Sequence, residues 1–289
     1  MEEFMKKIIF AVAAAVMTTS LYAFDEVLEL KTVGSVTEYT KTDYTITEKF
    51  GDYYRSPRAK YVHVFDSTGK QVESDEFTSK DTLVDKLLYN YDTAGKLAST
   101  VCTDNDGKIQ WKSIYTYDEN GNKIDESQYN ANDELVNRSI FKYVDGKQIE
   151  ESFYNSDGAL LGKFITKLDD KGRKAELAQY NEEGMLEIKQ TYSYNDAGKL
   201  SEIAYSDMFG RTLKKTVYRF DASYSVTEEQ TYNAHNKLAI RIIFKYDTYG
   251  NVTKATTYNV AEKFGTTVNE LAGIVEYTYK YGTGAAKAE

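Results

Sequence analysis

The sequence predicts an all-β protein, a long antiparallel meander of tandem 26-residue β-hairpin repeats forming one curved or spiralled sheet. Two observations predict it. Glycines recur at Gly69, Gly95, Gly121, Gly146, Gly172, Gly198 and Gly250 in steps of 25, 26 or 52 residues, with Tyr224 at the skipped place. A second series follows each by twelve residues: Asp81, Gly107, Asp133, Gly158, Gly184, Gly210, Asn236 and Glu262. Eight to ten residues rich in Tyr, Ile, Thr and Val separate consecutive turns, which is strand length and strand chemistry. Repeats at a fixed period stack one supersecondary unit on the next.

Before most turn residues stands an Asp or Asn, as in Asp92, Asp118, Asn130, Asn155, Asp169, Asn195 and Asp247. Asp or Asn first and Gly fourth is a type I turn closed by a left-handed residue, the common three-residue hairpin loop. Asp81, Asp133 and Asn236 tolerate the left-handed conformation in place of Gly. Tyr224 and Glu262 do not fit, and a different loop is expected at each.

The elements divide as follows. Residues 1–23 read as a signal peptide: Lys6 and Lys7, an apolar run from Ile8 to Met17, then small residues to Ala23. The run is too short to span a bilayer, so no transmembrane span is expected in the mature chain. Residues 24–60 form an N-terminal cap with strands near Ser35–Tyr39 and Tyr44–Phe50, and Gly51–Pro57 as a loop. Eight repeats occupy 61–262. Residues 263–273 read as an insertion, a cap strand closes 263–281, and 282–289 is a frayed tail.

Each strand pair presents two recurring faces. Aromatic residues precede the turns two apart, which keeps them on one face: Tyr89, Tyr91, Tyr115, Tyr117, Phe141, Tyr143, Tyr192, Tyr194, Tyr218, Phe244 and Tyr246. In the register that continues the hairpin loop, Tyr129 and the other second-series rings join them. This aromatic face is either the core of a folded-over sheet, the preferred reading, or a surface that stacks on sugars or partner side chains. The other face carries a base in every repeat: Lys60, Lys86, Lys112, Arg138, Lys163, Lys189, Lys215 and Arg241. This ladder either binds an anionic polymer or, as preferred, is solvated charge that discourages edge pairing. A one-residue slip in every hairpin would instead set Glu73, Asp125, Glu176, Glu202 and Glu228 against those bases, while scattering the rings over both faces.

Stretches such as Tyr115-Thr-Tyr-Asp-Glu-Asn-Gly-Asn122 and Tyr89-Asn-Tyr-Asp-Thr-Ala-Gly-Lys-Leu97 resemble the YD repeats of the bacterial RHS family. In that family such hairpins coil into a shell around a toxin. A weaker likeness is to MORN-type repeats.

Composition narrows function. With 36 basic against 45 acidic side chains the net charge is −9, which disfavours nucleic acid. Cys102 is the single cysteine and His63 and His235 the two histidines, so neither a disulfide nor a zinc site is expected, nor any cofactor. His63 reads as an aromatic substitute in the stripe. No acid/base or nucleophile constellation stands out, and no catalytic residue is assigned. The expectation is an exported, non-enzymatic scaffold or binding module at the cell envelope, with a protein or glycan as partner. The alternatives are a secreted enzyme acting on a polymer and an outer-membrane β-barrel. Eight mid-strand bases would each meet lipid in the latter, at roughly 2–4 kcal/mol apiece at the midplane.

Overall fold

The computed structural model describes residues 32–282; the predicted signal peptide and most of the tail lie outside them. Eighteen strands, β1 (Val36–Lys49) to β18 (Thr266–Tyr281), run antiparallel, each pairing with the next in sequence. β1 also pairs with β18, from Val36 opposite Tyr281 to Thr45 opposite Gly273, so the sheet's curvature goes to full closure. The result is an up-and-down barrel, which removes the edges an open sheet would expose. The closing strands come from the irregular ends of the sequence. Of the predicted loop Gly51–Pro57 only Gly51 is in a turn, the rest belonging to β2 (Asp52–Phe65), and 263–273 extends β17 (Val252–Lys263) and β18 as a hairpin.

The turn chemistry is as the sequence predicts. In the hairpin joining β6 (Ile109–Tyr117) to β7 (Lys123–Asn130), the Gly121 amide donates to the Asp118 carbonyl at 3.0 Å. The Asn122 amide donates to Asp118 Oδ1 at 2.8 Å. Gly121 sits at φ 86°, Asp133 at 64° and Asn236 at 57°. Tyr224 departs from expectation: it adopts φ 61° in the same loop, its amide bonding to Asp221 O at 3.1 Å. The deletion near Gly146 shortens that loop to a two-residue turn, Asp145-Gly146, with both φ values positive. At Glu262 the loop does differ, turning instead at Phe264-Gly265.

The register is not the preferred one. Tyr117 pairs with Lys123 as the loop requires, but the next pair is Thr116 with Asp125, leaving Ile124 as the extra residue of a bulge. The same shift follows Tyr129, which pairs with Leu135 while Gln128 pairs with Asn137. A bulge beside each of these three-residue loops slips the pairing by one and exchanges the faces of every second strand. Tyr129 therefore lies opposite the other candidate rings, on the side of the bases, with Lys112 Nζ 5.8 Å from its ring centre. Lys60 over Phe77, Lys163 over Tyr180 and Lys215 over Tyr232 repeat the arrangement.

The basic ladder faces outward, partly exposed to solvent and mostly paired with acids. Lys86 pairs with Glu73 at 2.7 Å, Arg241 with Glu228 at 2.6 Å and Lys112 with Asp133 at 2.6 Å. Lys189 reaches Glu176, Lys215 reaches Glu202, and Lys60 and Arg138 pair with Asp81 and Asp125. Ladders of opposite charge on adjacent strands thus partly neutralise one another.

The first-series rings face the lumen. A circular barrel of this strand number encloses an aqueous channel, but here Ile203 has no exposed surface, Ile242 and Val275 keep 2%, and Tyr218 and Tyr277 keep 4%. Side chains therefore fill the lumen beside β12 (Leu186–Tyr194) to β18. His63 stacks on Tyr39 inside, ring centres 4.4 Å apart, the aromatic substitute the sequence suggests. Cys102 is buried, and burial pushes its thiol up to about 11, as for a small hydrophobe.

The bulges also explain the tyrosines. Pairing between β5 (Leu97–Asp104) and β6 stops at Ser99 opposite Ile114, so the carbonyl of Leu97 has no partner in β6. The Tyr117 hydroxyl donates to it at 2.8 Å. Tyr91 to Gln71, Tyr143 to Lys123, Tyr194 to Lys174 and Tyr246 to Val226 repeat this latch, each reaching back 20 residues. A buried carbonyl left without a donor costs about 1–3 kcal/mol. Tyr117→Phe, which keeps the ring and removes the donor, is expected to lower the urea unfolding free energy by about 1 kcal/mol. An unchanged midpoint would show that the latch contributes nothing.

Candidate functional site

The turns that follow the aromatic pairs define an upper rim; the second series, Asp81 to Asn236, defines a lower rim. The lumen changes character around the lower rim. On β12–β18 the inward residues are large and apolar: Ile188, Ile203, Tyr205, Ile242. On β7, β8 (Leu135–Val144), β9 (Lys147–Asn155), β10 (Leu160–Leu168) and β11 (Lys174–Asn181) small and polar residues are interspersed among the inward rings of Phe141, Phe153 and Phe164. Gln128, Asn137, Ser139, Gly162, Gln179 and Asn181 face inward by register. They surround a cavity of about 670 Å³, within the range of small-molecule sites.

Gly162 helps make the space. It follows a bulge, between Leu160 opposite Tyr154 and its own pairing with Phe153, and a Cβ there would stand 2.8 Å from the Tyr180 carbonyl oxygen. No side chain fits, so the strand faces the cavity bare. Phe153 and Phe164 form its apolar surface, packed edge to face with centroids 5.3 Å apart. Gln179 donates through Nε2 to Glu187 at 2.9 Å, while its Oε1 is shielded from solvent and has no partner. Asn137 donates to Gln128 Oε1 at 2.8 Å, which fixes both amides.

The cavity is acidic. Glu126 and Glu151 stand inside and Glu182, Glu183 and Glu187 at the mouth, against Arg138 and Lys163. Burial holds the Glu151 carboxyl above its usual range, the Lys123 ammonium working against it. Among the described residues no cluster of His, Cys, Asp or Glu is arranged to hold a metal ion.

Of the candidate residues, Tyr89, Tyr91, Tyr115, Tyr117, Phe141, Tyr143, Tyr192, Tyr194, Tyr218, Phe244 and Tyr246 face the lumen, with Phe141, Tyr218 and Phe244 buried and the others half-buried in its wall. None of them lines the cavity, and of the ladder only Arg138 and Lys163 border it. Sequence reading missed Phe153, Phe164, Gln179 and Gly162. The available signal was the break in the pattern there: Gly162 stands mid-strand, and the aromatic before the turn at Gly172 is replaced by Leu168.

No protein-family model and no curated protein matches this sequence. Among solved structures the chain is similar to a porin-like protein from Bacteroides uniformis, at 13% identity and a TM-score of 0.46, covering 85% of this chain and 98% of that one. It is also similar to a LolA superfamily protein from Nitrosomonas europaea, at 10% identity and a TM-score of 0.22, covering 92% and 94%. A third likeness is to a Photorhabdus luminescens Tc holotoxin pore, at 14% identity and a TM-score of 0.34; it takes in 78% of this chain and only 15% of that one. With TM-scores below 0.5, none of them indicates what this lumen holds.

Proposed function

We propose that the protein is an exported, non-enzymatic β-barrel of the cell envelope that binds an uncharged oligosaccharide in the lower mouth of its lumen. The cavity carries this reading. It combines four lining aromatic residues, Phe153, Tyr154, Phe164 and Tyr180, with fixed amides and carboxylates, the donor and acceptor set that pairs with hydroxyl groups while a ring face receives the apolar face of a sugar. The excess of carboxylates over bases in the lining opposes anionic ligands, nucleic acid included. Export rests on the basic-apolar-small pattern of residues 6–23. Descent from YD-type hairpin repeats is part of the proposal and rests on the turn motif and its spacing.

The outer-membrane barrel is the weaker reading. Its lipid-facing wall would have to be a continuous apolar band. Here the outward positions of successive strands carry Glu73 and Lys86, Asp125 and Arg138, Glu228 and Arg241.

A glycan array probed with the purified mature chain tests the proposal. Binding to a neutral oligosaccharide is expected, weakened about tenfold or more by Phe164→Ala and by Gln179→Ala, since each removes a contact of roughly 1–2 kcal/mol. An array without hits, or hits indifferent to both substitutions, would overturn it.

A further inference from the structure

The lower rim carries a second asymmetry. Beyond Thr45 opposite Gly273, β1 pairs only with β2, down to Lys49 opposite Asp52. Past Ile240 opposite Asn259, β17 pairs only with β18, down to Lys263 opposite Thr266. Two hairpins thus extend past the other turns of that rim. They stand together: Glu48 and Tyr53 of one act on the Lys263 ammonium of the other, after its own Glu270. Each ends in the same tripeptide, Lys49-Phe50-Gly51 and Lys263-Phe264-Gly265.

Those tip phenylalanines are costly where they are. Both occupy left-handed backbone, φ 56° for Phe50 and 53° for Phe264, in turns whose preferred residue at that place is Asn, Asp or Gly. Most turns of the barrel use the preferred residues, Asp145 among them. Both rings are also fully exposed, at 105%. The sequence thus accepts local strain to hold two bare aromatic rings outward. The lower-rim turn next but one to the Phe264 hairpin adds Phe209 at 72% and Met208 at 52% exposed. These tips lie on the arc of the lower rim that includes Phe50, Phe264 and Phe209, interrupted by the polar turn Ala234-His235-Asn236, whereas the turns at Asp81, Gly107, Asp133 and Gly158 carry no large apolar side chain.

We propose that this arc is a membrane-docking edge, on which the tips of β1–β2 and β17–β18 insert their phenylalanines at the headgroup–acyl boundary of a lipid bilayer. Isolated rings on separate convex tips do not offer the contiguous area, about 800 Å² per partner, of a stable protein interface. A fluid interface needs no such continuity, and amphipathic surfaces bind it through the apolar area they bury. Lys49 and Lys263 directly precede the rings and can hold their ammonium groups at headgroup level while the stems follow the rings inward. Glu48, Asp52 and Glu262 offset these bases locally, so apolar insertion rather than anionic lipid drives the contact. The hairpins rise nine strands round the barrel from β10, on the side of the lumen opposite the cavity, so docking leaves the mouth's polar half uncommitted.

Vesicle flotation of the full mature chain tests this, with phosphatidylcholine alone and mixed with phosphatidylglycerol. The native protein is expected to float with both. The double variant Phe50→Asn/Phe264→Asn is expected to lose on the order of tenfold in partitioning for each ring. Asn-Gly is the favoured pair for these turns, so its melting temperature is expected to hold or rise, which separates docking from folding. Phe164→Ala, in the cavity, is expected to float as the native protein does. Flotation confined to the phosphatidylglycerol mixture, flotation unchanged in the double variant, or a native dimer that the double variant abolishes without any vesicle binding would each overturn the proposal.

Discussion

Tyr218→Ala is expected to lower stability by about 3–5 kcal/mol, the range for truncating a buried aromatic. The ring points into the lumen with 4% of its surface exposed, in the cluster with Tyr205, Ile242 and Phe244. Its loss opens a cavity in the most tightly packed part of the barrel. For a domain of this size each kcal/mol moves the melting temperature by about 2–4 °C, so a fall on the order of 10 °C follows. Tyr129→Ala is the matched control: the same residue type faces outward over Lys112 and loses a cation–π contact of about 0.5–1 kcal/mol. Equal losses in the two variants would mean that the one-residue slip is wrong and that all the rings share one face.

The second large effect is a pair of opposed pH dependences inside the lumen. Glu229 keeps 4% exposure, and burial pushes its carboxyl from 4.5 up to about 7, with the Lys214 ammonium only partly compensating. Between those values the folded chain holds a proton that the unfolded chain has released. Stability therefore falls as pH rises through that window, by up to roughly 3 kcal/mol. Glu229→Gln abolishes the loss and is expected to stabilise the protein at pH 8 while changing little at pH 4. His63 works the other way. Burial, with the Lys41 ammonium nearby, lowers it from 6.5 to about 4. Between these values only the unfolded chain is protonated, so stability falls as pH drops. His63→Phe keeps the ring stack on Tyr39 but loses the hydrogen bonds of Nδ1 with Gln71 and Ser74 at every pH, so its expected signature is removal of this slope: its stability relative to the native protein rises as pH drops from 8 to 4.5. In the native protein the two slopes cancel over their shared window. Urea midpoints at the two pH values check both; variants whose profiles run parallel to the native one would refute the burial of these charges.

The repeat, the turns and the strand count between Gly69 and Gly250 follow from local chemistry and were legible residue by residue. Asp118 caps its own loop, Gly121 supplies the positive φ, and Tyr115 and Tyr117 share a face whatever surrounds them. The face taken by Tyr129 was not legible in the same way. It depends on the bulges at Ile124 and Val136, and the decisive weight is cross-strand: Asp125 meeting Arg138, and the Tyr117 hydroxyl meeting the carbonyl of Leu97. Alternation read along one strand contains neither. The cavity was hidden for the opposite reason, since Phe153, Phe164 and Gln179 interrupt the pattern and a search for regularity passes over them.

The sequence by itself determined the hairpins, because a turn is settled by the four or five residues that form it. Only the tertiary structure decided that the meander closes. Closure lies in the pairing of β1 with β18, between segments more than two hundred residues apart that carry none of the repeat. It is favoured because two long unpaired edges lose every backbone hydrogen bond that their union makes. The same closure turned the aromatic face into a lumen, packed where Ile203 and Tyr218 meet bulky neighbours and open where Gly162 leaves no side chain at all.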